Sequence, residues 1–172
     1  MKRWLELLAM KAAHIFDWFR RLFSPTKPWQ ADRSMVLVNL FLGGFFEEWP
    51  SGFDVVNLAE ENKYTAPLGR LQLDMGRPDL PPGMTPAELK WTTDLILAWL
   101  KEGRTVLVCC DAGQNRSALV VCAVVAVSMG LSAERARAFV GVKRNKHVLH
   151  EWQFDALKAF VTSLTAGGPR DI

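Results

Sequence analysis

The sequence predicts an α/β fold in which a central, largely parallel sheet of about four to five strands is flanked by helices. Short segments rich in β-branched and apolar residues alternate along the chain with longer segments of helical periodicity. One fully apolar strand leads directly into a glycine-containing turn and an apolar helix, as in parallel-sheet folds. The 172 residues, 49% of them hydrophobic and 23% charged, suffice for about one domain with a sizeable core.

The beginning of the chain differs from the rest. An amphipathic helix is predicted over residues 2–23, where a wide apolar face opposes a narrow polar stripe. Ser24-Pro25 ends this helix, and residues 24–34 have the composition of a linker. The predicted divisions are the N-terminal helix and linker (1–34), the main domain (35–165) and a tail (166–172).

The main domain is predicted to contain four strands and four helices. Thr85 is suited to cap a helix that has Pro86 in its first turn. The valine-rich residues 118–127 have strand propensity, but their position between a glycine turn and Gly130 favours a buried helix. The proline-rich segment 75–86 is predicted to be a loop. The predicted strands are 36–42, 53–58, 69–74 and 104–110, and the predicted helices are 85–102, 118–127, 132–145 and 150–164.

Composition excludes several classes of protein. The net charge of +3 is too small to indicate a nucleic-acid partner. Three clustered cysteines, Cys109, Cys110 and Cys122, do not make a secreted disulfide framework and favour a reducing, cytoplasmic location. The longest apolar run, residues 118–127, is about half of the roughly 20 residues that cross a bilayer.

The most informative segment is VLVCCDAGQNRSALV, residues 106–120. A strand ends in Cys110, five residues follow, and Arg116 and Ser117 begin a helix. Such a loop directs backbone N–H groups and the positive end of a helix dipole into one concavity, which suits a phosphate group. Glycine permits the turn that this requires. The residues predicted to bind phosphate are Asp111, Ala112, Gly113, Gln114, Asn115 and Arg116.

The same loop carries a candidate nucleophile. The positive surroundings favour the thiolate of Cys110, which is the form that attacks phosphorus. The planar guanidinium of Arg116 can hold two phosphoryl oxygens at once. We therefore expect the loop both to bind a phosphoryl group and to attack it, with no metal ion and no other cofactor.

The segment resembles the signature loop of cysteine-dependent protein-tyrosine phosphatases, especially the compact dual-specificity branch. The resemblance covers roughly residues 35–165 and includes VLVNLFLGG near the start and EWQFDALKAF near the end. It implies a dual-specificity phosphatase-like fold and hydrolysis of phosphoproteins, with tyrosine and/or dual specificity, through a phosphocysteine on Cys110. Cys109 stands where the family usually has histidine. The adjacent thiols also suggest a redox pair, although a disulfide between neighbours would be strained.

The resemblance also implies an aspartic acid that protonates the leaving group, from the loop before the helix that precedes the nucleophile strand. Asp74 ends a predicted strand and is preferred, because a strand end holds a side chain rigidly. Asp79 is the alternative, since its separation from Cys110 is closer to the usual one. Ser117 is expected to hydrogen-bond to the sulfur of Cys110 and to ease release of the thiolate.

Alternative functions stay open at this point. The loop could serve a phosphatase of lipids or of RNA 5′ phosphates, but Asp111, Gln114 and Asn115 lack the basic charge that lipid-directed relatives often carry. It could also belong to an inactive phosphate-binding module, against which intact Cys110 and Arg116 argue.

Two further features are interpreted without a role in catalysis. Residues 2–23 fit either docking on the domain or on a partner protein, or a peripheral membrane contact. No nucleic-acid partner is expected, and the oligomeric state is left open. Near the C-terminus, four basic residues are predicted to form a solvated corner of the surface: Arg144, Lys146, His147 and His150.

Overall fold

A computed structural model describes residues 33–44, 49–60, 65–77, 79–144 and 148–166. Within these ranges the chain forms one sheet and four helices. The strands are β1 (Arg33–Leu37), β2 (Leu40–Gly43), β3 (Asp54–Ala59), β4 (Gln72–Arg77) and β5 (Val106–Cys109). The helices are α1 (Pro86–Lys101), α2 (Arg116–Met129), α3 (Ala133–Arg144) and α4 (Glu151–Ala166). The helix predicted over 2–23 lies outside the described residues.

The sheet confirms the predicted fold class. Its strand order is β1-β2-β5-β3-β4, and β2, β5, β3 and β4 are parallel to one another. Only β1 runs antiparallel to its neighbour among the described strands. The carboxyl ends of four strands therefore meet at one edge, which is where open α/β sheets bind their ligands.

The first predicted strand, 36–42, is instead a hairpin of two strands. Val38 and Asn39 form the turn between β1 and β2, and Asn39 has a φ of 62°. Asparagine tolerates this left-handed conformation better than most residues. The continuous run of apolar residues concealed the turn, because Val38 is apolar but exposed.

The strand predicted over 69–74 is β4, which begins and ends three residues later than predicted. Gly69 lies in a turn with a φ of 82°, and β4 then continues to Arg77. Asp74, which the sequence placed at the end of a strand, is therefore an exposed residue in mid-strand. The proline-rich loop and the segment preceding α1 follow this strand.

Local signals set the helix boundaries as predicted. Thr85 and Glu88 form a capping box at the start of α1, with Pro86 in the first turn. Gly130 ends α2 in the left-handed conformation. The first eleven residues of α2 are all buried, so tertiary packing overrides the strand propensity of its valines.

No single helix among the described residues has the length and apolar character needed to cross a membrane. Helices α2 and α3 reach that length and apolar character only when they are taken together, and the pair is bent by 116°.

Candidate phosphate-binding site

The site is built on the loop 110–115, between the carboxyl end of β5 and the start of α2. Gly113 turns the loop with a φ of 66°. A Cβ atom there would lie 2.5 Å from the carbonyl carbon of Gly43 and 2.7 Å from a guanidinium nitrogen of Arg144. Both the backbone conformation and the lack of space therefore require glycine.

The loop carbonyls point away from the concavity that the loop encloses. The carbonyl oxygens of Ala112 and Gly113 accept hydrogen bonds from Arg144, at 3.4 and 3.1 Å. The carbonyl oxygen of Gln114 accepts from the backbone N–H of Leu149 at 3.2 Å. In a trans peptide the next N–H points opposite to the carbonyl, so three successive N–H groups are directed inward. This is the arrangement of an anion-binding nest.

The thiol of Cys110 lies at the start of this loop and is 2% exposed. Its sulfur is 3.1 Å from the hydroxyl oxygen of Ser117, in the first turn of α2. A serine hydroxyl can donate a hydrogen bond to a thiolate at this distance. The structure thus brings together the cysteine and the serine that the sequence had paired.

The guanidinium of Arg116 is held at the carboxyl edge of the sheet. Its Nη1 donates to the carbonyl oxygens of Leu58, at 3.2 Å, and Arg77, at 2.7 Å. Leu58 lies in β3 and Arg77 ends β4, so one side chain connects two neighbouring strands to the loop. With 5% of its surface exposed, Arg116 has a fixed orientation beside the nest.

The two candidate acids lie in different places. Asp79 contacts the loop directly, because Asn115 Nδ2 donates to its Oδ2 at 3.1 Å. Asp74 is exposed on β4, where its carboxylate accepts hydrogen bonds from Asn57 and Gln72. Asp79, the alternative of the sequence analysis, thus contacts the loop, whereas Asp74 contacts residues of the sheet.

Arg144 was missed by the sequence analysis. It was assigned to a solvated basic corner, but it is 4% exposed and forms part of the loop's support. The sequence does contain a signal for its burial, because Ala136, Val140 and Arg144 follow one another at intervals of four. All three are buried on one face of α3. An arginine that continues an apolar stripe indicates a buried carbonyl or anion partner.

The other two cysteines are separated from Cys110. Cys109 packs with Phe53 and Leu107 on the opposite face of the sheet from Cys110, because side chains alternate along β5. Its thiol donates to Asn57 Oδ1 at 3.9 Å. Burial raises the pKa of Cys122 to about 12, so this thiol stays protonated at neutral pH. The adjacent cysteines thus lack the geometry of a disulfide pair.

Comparison with known proteins gives structural matches only. No family model matches the sequence, and no curated protein sequence matches it. Human DUSP28 superimposes with a TM-score of 0.72 at 24% identity, over 78% of this chain and 99% of that protein. The human tyrosine phosphatase-like serine/threonine/tyrosine-interacting protein gives 0.71 at 22% identity, over 78% and 98%.

A third match is to a protein solved in complex with PI(5)P. PTPMT1 in complex with PI(5)P gives a TM-score of 0.59 at 23% identity, over 78% of this chain and 97% of that protein. All three proteins are covered over nearly their full length. The chain has the fold of the compact dual-specificity phosphatases.

Proposed function

We propose that the chain is a cysteine-dependent phosphate-monoester hydrolase that acts on phosphorylated proteins, with tyrosine and/or dual specificity. The observation that carries this proposal is the loop 110–115, whose outward carbonyls leave a nest of N–H groups beside the thiol of Cys110. Donors fixed in this way stabilise negative charge that develops on phosphoryl oxygens during transfer.

The reaction follows two steps. The thiolate of Cys110 attacks phosphorus, the P–O ester bond breaks, and its electron pair stays on the leaving oxygen, which takes a proton from Asp79. Water then attacks the phosphocysteine, gives its proton to the carboxylate of Asp79, and releases the thiolate as the P–S bond breaks. The hydroxyl of Ser117 donates to the departing thiolate, and Arg116 holds two phosphoryl oxygens.

We assign the proton donor to Asp79. Its hydrogen bond to Asn115 supports a position next to the bound phosphoryl group. A general acid must come within hydrogen-bond reach of the leaving oxygen, which an exposed residue in the middle of an edge strand does not do without a large rearrangement. Asp74 therefore acts in the sheet, through its bond to Asn57.

Charge around the loop favours a phosphoprotein over a lipid headgroup or an RNA end. The side chains of Asp111, Gln114 and Asn115 carry no positive charge, whereas a polyanionic headgroup is best held by several cations. A thiol nucleophile also fits a reducing cytoplasm. Residues 2–23 remain a candidate contact with a membrane surface or a partner protein.

Substitution of the nucleophile tests the proposal. Purified protein is assayed on an activated aryl phosphate, on phosphotyrosine and phosphoserine peptides, and on phosphoinositide vesicles. Cys110→Ser is expected to abolish turnover on every substrate while phosphate-analogue binding survives, because the nest is made of backbone. Cys122→Ala, which removes a buried thiol outside the loop, is the matched control and should retain activity.

The alternatives give distinct results. Turnover of phosphoinositides above that of phosphopeptides would assign the site to lipids. Binding of tungstate by the wild type without turnover of any substrate would identify a phosphate-binding module. Activity that persists in Cys110→Ser, or that a chelator removes, would contradict the mechanism.

A further inference from the structure

We infer that Gln153 is the positioning residue that aims the carboxyl group of Asp79 at the leaving oxygen; this role rests on the proposed function. Gln153 Nε2 donates to Asp79 Oδ1 at 3.1 Å, and Asn115 Nδ2 donates to Oδ2 at the same distance. The two oxygens are thus held from opposite sides. The helix α4 holds one, and the phosphate-binding loop faces the other.

The amide of Gln153 has a defined orientation. Its Oε1 accepts the backbone N–H of His150 at 3.2 Å, which requires Nε2 to point to Asp79. A flipped amide would place a donor against the N–H of His150 and an acceptor against a carboxylate. Gln153 is 1% exposed, so water does not compete for these bonds.

Helix α4 contacts the segment 79–83, which begins with Asp79, at a second point. Trp152 precedes Gln153 in the chain, and its ring lies so close to Gly83 that a Cβ atom there would collide with it. Two consecutive residues of α4 thus contact both ends of the segment 79–83. Helix α4 therefore contributes to the position of the acid through Gln153 and to the position of Gly83 through Trp152.

The segment before α4 also supports the loop. Leu149, in a left-handed conformation with a φ of 67°, donates its N–H to Gln114. Arg137 fixes this segment by donating to the carbonyl oxygens of Val148 and Leu149, at 3.0 and 2.9 Å. The short stretch 149–153 therefore contacts both the phosphate nest, through Leu149, and the acid, through Gln153.

In this role Oδ2, which contacts the loop through Asn115, is the oxygen that carries the proton. With Oδ1 held by Gln153, Oδ2 faces the loop, and the proton passes from Oδ2 to the ester oxygen as the P–O bond breaks. A carboxyl group without this bond rotates about its side-chain torsions and spends less time aligned with the leaving group. Misalignment slows a step that depends on proton transfer more than one that does not.

The test compares two substitutions on two substrates. Gln153→Met keeps the side-chain volume and loses both amide bonds, whereas Gln153→Asn keeps an amide on a side chain that is too short to reach both His150 and Asp79. Both are expected to lower turnover of a phosphoserine peptide by at least about tenfold, and that of an activated aryl phosphate by no more than about twofold. In an Asp79→Asn background neither should cause a further selective loss.

Arg137→Met is the matched control, since it loosens the segment 148–149 without removing the amide donor to Asp79. It is expected to slow both substrates to a similar degree. Thermal unfolding identifies any variant that does not fold. If Gln153→Met does not fold, Gln153→Asn, the smallest change, must show the larger loss on the phosphoserine peptide than on the aryl phosphate.

Equal losses on both substrates, or full additivity with Asp79→Asn, would overturn the role of Gln153 while turnover through Cys110 stands. If the wild type turns over neither substrate, the proposed function fails, and this role fails with it.

Discussion

At the scale of single residues, the two candidate acids differ in what holds them. Asp79 is bound by Asn115 of the loop and by Gln153 of α4, whereas Asp74 is bound by residues of the sheet. Both aspartates precede α1 in the sequence by a short distance, and sequence separation alone does not distinguish their surroundings. Side-chain contacts across the fold do.

Asp79→Asn is expected to reduce turnover of a phosphoserine peptide by about 10²-fold and that of an activated aryl phosphate by only a few-fold. The alkyl leaving group needs a full proton, but a phenolate of low basicity does not. Asp74→Asn is the matched control and should affect the two substrates alike. Leaving-group selectivity in Asp74→Asn but not in Asp79→Asn would reverse the assignment.

Two glycines with almost the same conformation provide a second comparison. Gly113 and Gly130 have φ values of 66° and 62°, but a Cβ atom at Gly113 would meet Gly43 and Arg144, whereas at Gly130 it would meet open space. Gly130→Ala should therefore lower the free energy of unfolding only by the backbone strain, about 1–2 kcal/mol. Gly113→Ala should lower the free energy of unfolding by more than this and should also abolish tungstate binding.

Thermal unfolding and tungstate titration measure these two effects separately. Equal destabilisation by the two substitutions, with tungstate binding intact in both, would contradict the tight approach of the loop to β2 and α3.

At the scale of elements, the start of α1 contains a pH-sensitive cap. The backbone N–H of Thr85 donates to the carboxylate of Glu88 and holds the pKa of Glu88 below its ordinary value of 4.5; the Thr85 hydroxyl and Arg77 act in the same direction. A carboxylate whose pKa is lowered on folding stabilises the fold above its unfolded-state pKa. This contribution is lost as the pH falls through the lower, folded-state value.

Glu88→Gln is therefore expected to lower the melting temperature at neutral pH. The difference from the wild type should shrink as the pH falls below 4.5. Melting curves over a pH series measure this, and Thr85→Ala should show the same trend. A difference that grows in acid would contradict the cap.

The predictability of each element depended on how local its signals are. The cap of α1 and the glycine end of α2 each depend on a few neighbouring residues, and the sequence predicted both boundaries. The hairpin at Asn39 was missed because its turn contains an apolar, exposed valine within an apolar run. The limits of β4 were misplaced because its half-buried residues alternate weakly.

At the scale of the whole molecule, the phosphate loop was recognisable because Cys110, Gly113, Arg116 and Ser117 are contiguous in the sequence. The residues that support the loop come from distant segments, and only their tertiary contacts reveal them. Gln153 and Asp79 are 74 positions apart, and no local pattern connects them. Arg144 is the exception, since its spacing with Val140 continues an apolar stripe.

The dependence of the site on α4 has a consequence for biosynthesis. A ribosome makes Asp79, Cys110 and Arg116 before it makes Gln153, so a growing chain contains every group that we propose to react while the helix that aligns them is still absent. The contact between Gln153 and Asp79 forms only when α4 has left the ribosome and has packed against the sheet and the other helices. On our proposal, a chain truncated before α4 would have an intact signature loop and a misaligned acid.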